Sequence, residues 1–435
     1  GFHTTQRDKI LQWVRNLGHN SENLQADTID AVLDSDLPAG PVRRALEIRS
    51  QASKASTKKL DAMARQAGSD GRCRFQTRYH GASTGRQSGM GFQPLNMARG
   101  FSEDVSPEQL VWDIKNGYLQ WLDSQYGDAT EAISNASRHW IIPAPRHRIM
   151  AGDFASIEAV ILACIAGEKW KVEAFREKKP IYEMTAETIY NLPPSTVTKK
   201  THPLERQDGK ICELAFGFQG ALGAWRKFDS SDRHSDRDVL RICNAWREKN
   251  GKIREFWGEA ETAAMRAVSN PGDIFSAGEN QQIQFQCVKD FLSIKLPSEK
   301  RIWYFRPEIR LGLPVWHQPL TKLECAEETC DCAPQPQLTY LSQKTGQWAR
   351  IKTYGGKLTE NIIQATAREL LVSAVKRGDK AGYPIVLTVY DEIICEVKNN
   401  FGSTEDLKQL MEQKPAWAKT WPIWAEVWEG SHYKK

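Results

Sequence analysis

The sequence predicts an α+β protein of two or three packed subdomains, and three features support this. Its 435 residues exceed the usual size of a single domain. Apolar residues recur at helical spacing within residues 5–70, 168–290 and 357–377. Short apolar runs bounded by turn residues, a pattern typical of strands, occupy residues 296–354 and 385–397.

Further elements follow from local signals. A helix is expected over residues 41–63, since it opens with a proline at an early position, and another over residues 107–126. Residues 148–165 begin with a strand pattern and become helical after Ser156. Residues 72–100 are rich in Gly and Ser without an apolar period, which is typical of a loop that wraps a ligand.

Composition excludes some classes of protein. The hydrophobic content of 40% and charged content of 26% are ordinary for a globular protein. Because no run of about 18 apolar residues occurs, we expect no membrane partner. The nine cysteines are mostly scattered, which suits a reducing cytoplasm better than a disulfide scaffold.

Positive charge is concentrated in one segment. The chain carries a net charge of +5, whereas residues 43–99 contain twelve Lys or Arg and only three acidic residues. Such a segment is the footprint expected of contact with a phosphate backbone. A solvated helix face is the alternative, and charge alone does not decide between them.

Two acidic sites interrupt strand patterns. Asp153 stands where a strand is expected to end and a helix to begin, and Asp391-Glu392 divide the apolar segment 385–397. Charges in such surroundings need a partner, commonly a divalent cation. Mg²⁺ takes one or two carboxylates plus substrate phosphates, and two such ions can stabilise a phosphoryl transfer.

A third segment, 206–218, has side chains suited to binding a nucleoside triphosphate. Arg206, Lys210, Leu214 and Phe218 repeat every four residues, which places them along one face of a helix. The two cations would meet phosphates, and the two apolar groups would support sugar and base. Basic helix faces are, however, commonly just solvated.

Taken together, these segments resemble those of family A DNA polymerases, the polymerase I type. The motif sequences are most similar to those of bacteriophage enzymes. DFASIE at 153–158, RQDGKICELAFGF at 206–218 and VYDE at 389–392 resemble motifs A, B and C. TGR at 84–86 resembles the loop that touches the primer–template, and QATA at 364–367 resembles a helix near the duplex minor groove. The resemblance runs from about residue 43 to the last residue.

The resemblance implies roles for the residues of the chemical step. Asp153 and Asp391 would bind two Mg²⁺ ions, with Mn²⁺ as a substitute, together with the backbone carbonyl of Phe154. Glu392 would be an accessory carboxylate, and Lys210 would also protonate the leaving pyrophosphate. The dNTP would be contacted by Arg206, Lys210, Leu214, Phe218, Glu158 and Tyr182.

Within that set, Glu158 would exclude a ribose 2′-OH and Phe218 would stack near the templating base. Leu214 departs from the aromatic residue usual in bacterial enzymes, and Tyr390 replaces the usual His. DNA contacts are implied for Lys54, Lys58, Arg86, Gln93, Asn96, Gln364 and Tyr390.

The fold implied is a right hand with a helical thumb, an antiparallel-sheet palm and helical fingers. Residues 1–75 would form the thumb, 76–167 the first part of the palm with motif A, 168–295 the fingers with motif B, and 296–435 the second part of the palm with motif C. We expect a monomer that acts on primer–template DNA and dNTPs in DNA replication, in the host cytoplasm if the source is viral. Too few residues precede the matching region for an exonuclease domain, so we expect no proofreading by this chain.

A separate cluster contains His317, Cys325, Cys330 and Cys332. Four nitrogen and sulfur ligands suit a tetrahedral Zn²⁺ site, but their spacing is not a standard one. Free thiols in a long hairpin are the favoured interpretation.

Two alternative functions remain open from the sequence. A single-subunit RNA polymerase or a reverse transcriptase would share the palm chemistry, although Glu158 argues against ribonucleotides. A DNA-binding accessory protein without catalysis is the other, and the intact acids and cations argue against it.

Overall fold

The computed structural model describes residues 6–19, 21, 23–25, 28–29, 32–33, 37–53, 55–98, 106–229, 231, 233–313, 334–343 and 346–434, without the side chains of residues 51–58. The chain divides into two compact units. The first unit comprises Gly1–Arg78, Ser88–Ile149 and Glu429–Lys435, and the second comprises Tyr79–Gln87 and Met150–Trp428. Among the described residues, none of the helices combines the length and apolarity needed to cross a membrane.

The first unit is mainly helical. Its helices are α1 (Arg7–Asn16), α2 (Pro41–Ser53), α3 (Ala55–Gln66), α4 (Pro107–Asn116), α5 (Leu119–Tyr126) and α6 (Ala129–Asn135), with 3₁₀ turns at Pro94–Asn96 and Ala136–Trp140. A short antiparallel pair joins β1 (Thr77–Arg78) and β2 (Ser88–Gly89). Val14, Ile29 and Leu46 are buried in one small core.

The helix predicted over residues 107–126 is in fact two helices. α4 ends at Asn116 and α5 begins at Leu119, with Gly117 in extended conformation between them. The apolar pattern continues through the break because both helices bury a leucine, Leu110 and Leu122. The predicted range was therefore helical as expected, but it contains an interruption that the prediction did not include.

Helices also make up much of the second unit. They are α7 (Ile157–Ala166), α8 (Lys169–Arg176), α9 (Ile181–Ile189), α10 (Pro203–Ala215), α11 (Leu222–Phe228), α12 (Asp236–Lys249), α13 (Gly251–Ser269), α14 (Gly355–Lys380) and α15 (Thr404–Glu412), with 3₁₀ turns at Glu279–Gln281 and Ala416–Ala418. α7 and α14 contribute fully buried side chains such as Val160, Ile165 and Ile362 to one large core. α14 extends the predicted helix 357–377 by a few residues at both ends.

The chain also forms two larger sheets. One has the order β10 (Ile385–Val389), β11 (Glu392–Lys398), β3 (His147–Phe154), β12 (Ala425–Gly430). The other is an antiparallel meander in chain order, β4 (Ile274–Ala277), β5 (Ile283–Val288), β6 (Phe291–Lys295), β7 (Arg301–Gly312), β8 (Gln335–Ser342) and β9 (Ala349–Thr353).

This second sheet limits one expectation. Residues 168–290 are mainly helical, as predicted, but the last α-helix of this range ends at Ser269 and strands begin at Ile274. Ile283 and Phe285 alternate with half-buried Gln284 and Gln286, which is a period of two and not a helical period.

Candidate active site

A two-residue turn joins β10 to β11 and carries Asp391. Val389 pairs with Glu392 across the hairpin, so Tyr390 and Asp391 form the whole connection. Tyr390 has a φ of 54°; short hairpin turns need positive φ values, but a bulky residue rarely adopts them. Glu392 is 1% exposed and Tyr390 is 47% exposed. The hairpin therefore presents Asp391 at its tip, above a buried carboxyl group.

The end of β3 lies against this turn. The backbone N–H of Phe154 donates a hydrogen bond to the carbonyl oxygen of Asp391, with an N–O distance of 3.4 Å. β3 is also the neighbour of β11 in the sheet. Because Asp153 directly precedes Phe154, the two predicted metal ligands belong to the same end of one sheet, and both are half buried.

The oxygen atoms at this end of the sheet suit a divalent cation such as Mg²⁺. The carboxylates of Asp153 and Asp391 and the carbonyl of Phe154 are hard ligands, and Mg²⁺ completes its shell with water and phosphate. Among the described residues there is no group of three or more His, Cys, Asp or Glu that could hold a metal ion. The two carboxylates and one carbonyl are compatible with a cation that also binds phosphate oxygens.

Glu158 lies in the first turn of α7 and forms an ion pair with Arg86, whose guanidinium group donates to the Glu158 carboxylate. The chain reverses between β3 and α7 at Ser156, which has a φ of 49°. The Arg86 and Glu158 side chains are 21% and 34% exposed. The residue predicted to select the sugar thus contacts a residue predicted to bind DNA.

The loop Tyr79–Gln87 is anchored to two other elements. Arg368 of α14 donates from Nε to the carbonyl of Gly85, at 2.8 Å, and its guanidinium carbon lies 4.5 Å from the centroid of the Tyr79 ring. Thr388 of β10 donates to Gln87, at 2.6 Å. The loop that carries Arg86 is thereby fixed to the motif C hairpin and to the helix that contains Gln364.

The backbone conformation and the close neighbours of Gly85 explain why the Thr-Gly-Arg segment has a glycine at this position. Its φ is +81°, and a Cβ atom there would lie 2.7 Å from both His80 Nε2 and Lys300 Nζ. Lys300 in turn forms an ion pair with Glu369 of α14, at 3.0 Å. Arg368, Glu369 and Lys300 were not predicted from the sequence. Arg368 could have been predicted, because it follows Gln364 by one helical turn and so lies on the same helix face.

A pocket of about 190 Å³ lies between this loop, α14 and the hairpin. Its lining combines cations and aromatic groups with an apolar floor from α14, namely Tyr79, Arg86, Gln87, Arg368, Leu371, Val372, Val375, Lys376, Thr388 and Tyr390. Tyr390 and Arg86, both predicted DNA contacts, share it. Gln364, further along α14, donates to Glu360, at 3.1 Å.

α10 has an open face and a buried face. Arg206, Lys210 and Leu214 are half buried or exposed, with Leu214 at 45%. The opposite face is buried and includes Asp208, Ile211 and Cys212. The predicted stripe is therefore present over three of its four positions.

The fourth position needs a correction. α10 ends at Ala215, so Phe218 is not on the same helix face; it packs, partly buried, against the core. Gly220 lies against the end of this helix, where a Cβ atom would overlap the carbonyl oxygen of Ala215. The returning chain closes the end of the helix at that point.

A line of contacts joins α10 to the turn after Asp153. Arg206 forms an ion pair with Glu183, at 2.6 Å, and its guanidinium carbon lies 5.9 Å from the centroid of the Tyr182 ring. Burial raises the pKa of the Tyr182 phenol, and the nearby Ser156 side chain opposes this effect. Tyr182 thus bridges the cationic helix and the strand end that bears Asp153.

The buried side of α10 is held by Glu213. Its carboxylate accepts hydrogen bonds from Lys171 at 2.7 Å, Thr185 at 2.8 Å and Trp246 at 2.9 Å. The side chains of Lys171 and Glu213 are only 2% and 3% exposed. Asp208, one turn earlier, accepts from Tyr190 and Arg233. This network could not be predicted from the sequence, because its members are distant in the chain.

Other predicted site residues lie elsewhere. Gln93 and Asn96 belong to the first unit, where both backbone carbonyls accept hydrogen bonds from Lys59. Lys54, the side chain of Lys58 and the cluster His317, Cys325, Cys330 and Cys332 lie outside what the structure describes.

Comparison with known proteins supports the resemblance. The chain is 31% identical over 432 residues to the DNA polymerase of Bacillus phage SP02, an alignment that covers 98% of this chain and 62% of that protein. No protein-family model matches. The chain therefore spans less than two thirds of the length of its relative.

The fold also matches a solved structure. The POL domain of Pol1 from M. smegmatis, in complex with DNA primer-template and dNTP, aligns with a TM-score of 0.59 at 14% identity. The alignment covers 99% of this chain and 61% of that chain. The predicted α+β polymerase fold is thereby confirmed.

Proposed function

We propose that this chain is a template-directed DNA polymerase that adds deoxynucleotides to a primer 3′-OH and releases pyrophosphate in DNA replication. The observation that carries the proposal is the hydrogen bond from Phe154 to Asp391, which joins the strand ends bearing two acids. The relative named DNA polymerase and the shared fold support it.

Asp153, Asp391 and the carbonyl of Phe154 would hold two Mg²⁺ ions, with Glu392 buried behind them. When bound, such ions lower the pKa of the primer hydroxyl and neutralise the leaving pyrophosphate. The protein itself supplies position and charge, which is most of what phosphoryl transfer requires. The hairpin turn keeps Asp391 at its tip, and β3 keeps Asp153 beside it.

Arg206 and Lys210 would bind the triphosphate on the open face of α10. Arg206 is paired with Glu183, so a phosphate group must either replace that carboxylate or add to the pair. Lys210 would donate a proton to pyrophosphate. Leu214 and Phe218 would contact the sugar and base, and Tyr182 would link this helix to the Asp153 strand end.

Glu158 would fill the space that a ribose 2′-OH needs. Its ion pair with Arg86 fixes the carboxylate and partly neutralises it, so the group can approach an anionic substrate at lower cost. Arg86, Gln364 and Tyr390 would contact the primer–template near this point.

The remaining assignments belong to the same proposal. Lys54, Lys58, Gln93 and Asn96 would contact DNA, with an affinity that falls as salt rises. The thumb, palm and fingers boundaries given above are also part of it. The relative comes from a phage, so we propose that the enzyme acts in the cytoplasm of an infected cell, as a monomer.

Primer extension tests the proposal directly. The chain is incubated with a labelled DNA primer on a DNA or an RNA template, with dNTPs or rNTPs, and with Mg²⁺, Mn²⁺ or EDTA. We expect template-directed extension on DNA with dNTPs and either metal, and none with EDTA. Preferred use of rNTPs would instead indicate an RNA polymerase, preferred use of RNA template a reverse transcriptase, and binding without extension an accessory protein.

A further inference from the structure

Four aromatic rings form a continuous row on the six-stranded sheet of the second unit. Phe291 lies 6.0 Å from Trp303 and 5.2 Å from Phe305, and Phe305 lies 5.3 Å from Trp348, between ring centroids. We call Trp303, Phe291, Phe305 and Trp348 the aromatic ladder. None of these residues belongs to the active site described above.

The ladder lies on the face of the sheet that points away from the core. Phe291 pairs with Phe305 across β6 and β7, whereas the alternate residues Ile302 and Tyr304 are buried. Trp303 and Trp348 are 54% and 56% exposed, and Phe291 is 39% exposed. Large rings exposed in a contiguous row are unusual on a protein surface and mark binding sites.

Cations surround the ladder on the same face. Lys295 and Arg301 pair with each other beside Ser293 and Trp303, and Arg350 and Lys352 alternate along β9 opposite Leu341 and Thr339. Arg306 lies over the Phe305 ring, with 5.2 Å between its guanidinium carbon and the ring centroid. Two acids offset part of this charge, because Arg350 pairs with Glu308 at 2.8 Å and Lys295 pairs with Glu299 at 2.6 Å. Positive charge thus predominates on the described part of this face.

We propose that the aromatic ladder binds single-stranded DNA, with bases stacked on the rings and phosphates contacted by the flanking cations. Exposed aromatic rings with interleaved cations are the combination that sequence-independent single-strand binding uses. The positive charge selects a polyanion over an apolar protein partner. A single strand fits better than a duplex because only unpaired bases offer their faces for stacking.

Binding of a fluorescein-labelled dT oligonucleotide by the full chain, measured by anisotropy, tests the ladder. We expect Trp303→Ala and Trp348→Ala each to weaken binding by about fivefold or more, with partial rescue in Trp303→Phe. Trp112→Ala, at an equally exposed tryptophan of the first unit, is the matched control and should bind as the unaltered chain does. Affinity for a blunt duplex should stay the same in all of these variants.

A second measurement identifies the contact itself. An oligonucleotide containing 5-bromodeoxyuridine is photo-crosslinked, and the attached peptide is identified by mass spectrometry. Crosslinks within β6, β7 or residues 346–353 support the proposal. It is overturned if the ladder variants bind dT like the unaltered chain, or if their only defect is loss of self-association, which would make this face a protein interface.

Discussion

Phe154 and Asp391 are joined by a backbone hydrogen bond from the N–H of the first to the carbonyl of the second. The bond ties the end of β3 to the tip of a two-residue turn, so neither acid depends on a long flexible loop for its position. Catalytic groups held in this way on rigid elements lose little entropy when substrate arrives.

Replacing Asp391 with Asn should lower kcat for primer extension by about 10³-fold or more, because one negative charge at the cation site is lost. Affinity for primer–template, measured by anisotropy, should change less than about threefold. Asp379→Asn, an exposed position on α14, is the control and should leave both quantities unaltered. Near-normal extension by Asp391→Asn would show that motif C is assigned wrongly.

Replacing Glu158 with Ala should raise the efficiency of rNTP incorporation relative to dNTP by about tenfold or more, because the space for a 2′-OH opens. The measurement compares kcat/KM for matched ribo- and deoxynucleotides. Arg86→Ala should lower kcat/KM for both rNTP and dNTP. It should reduce the preference for dNTP less than Glu158→Ala does, because the Glu158 side chain remains. A larger loss of sugar selectivity in Arg86→Ala than in Glu158→Ala would contradict the assigned roles.

Replacing Lys171 with Met should lower the free energy of unfolding by about 3 kcal/mol or more, because the Glu213 carboxylate stays buried without its cation. Urea denaturation followed by tryptophan fluorescence measures the change. The double variant Lys171→Met, Glu213→Gln should recover part of the loss. The exposed pair Lys252–Glu255 supplies the control, since Lys252→Met should cost less than about 1 kcal/mol; equal losses at both sites would refute the prediction.

Acid should destabilise the first unit through His139 and His432. Their rings are 5.1 Å apart, and burial lowers the pKa of both imidazoles from 6.5. The positive charges of His432 and Arg138 lower the pKa of His139 further, and Lys434 does the same for His432, whereas Glu108 raises both pKa values. Protonation is thus weaker in the folded state than in the unfolded state. Stability is retained above the unfolded pKa and falls as the pH drops below about 6.5.

Hydrogen exchange of the segment Ala136–Trp140 at pH 7.5 and 5.5, corrected for intrinsic rates, measures this effect. Exchange should accelerate at pH 5.5 in the unaltered chain and much less in the His139→Gln, His432→Gln double variant. The same acceleration in both proteins would assign the pH dependence to other groups.

The sequence predicted the elements whose signal is local. The strand-to-turn-to-helix change around Asp153 and the hairpin around Asp391 have an apolar period and a polar interruption that can be read without a structure. The open face of α10 followed from a repeat of four residues. These segments account for the main parts of the candidate site.

What the sequence did not predict depends on contacts between distant residues. Arg368 donates a hydrogen bond to Gly85, and Glu213 accepts hydrogen bonds from three other helices. Neither contact produces a pattern in the adjacent sequence from which it could be predicted. Phe218 was placed on α10 because a spacing of four continues past Ala215, whereas the chain has already left the helix there. A spacing of four residues places side chains on one face only within the bounds of the helix.

Gly209 sets a limit on how the cationic helix can move. A Cβ atom at this position would overlap the carbonyl oxygen of Tyr182, so α9 and α10 touch backbone to backbone. Helices in such contact rotate as a rigid pair, because sliding one over the other would force their main chains together. Any rotation of this pair that displaces Lys210 would therefore also displace Tyr182 relative to Ser156.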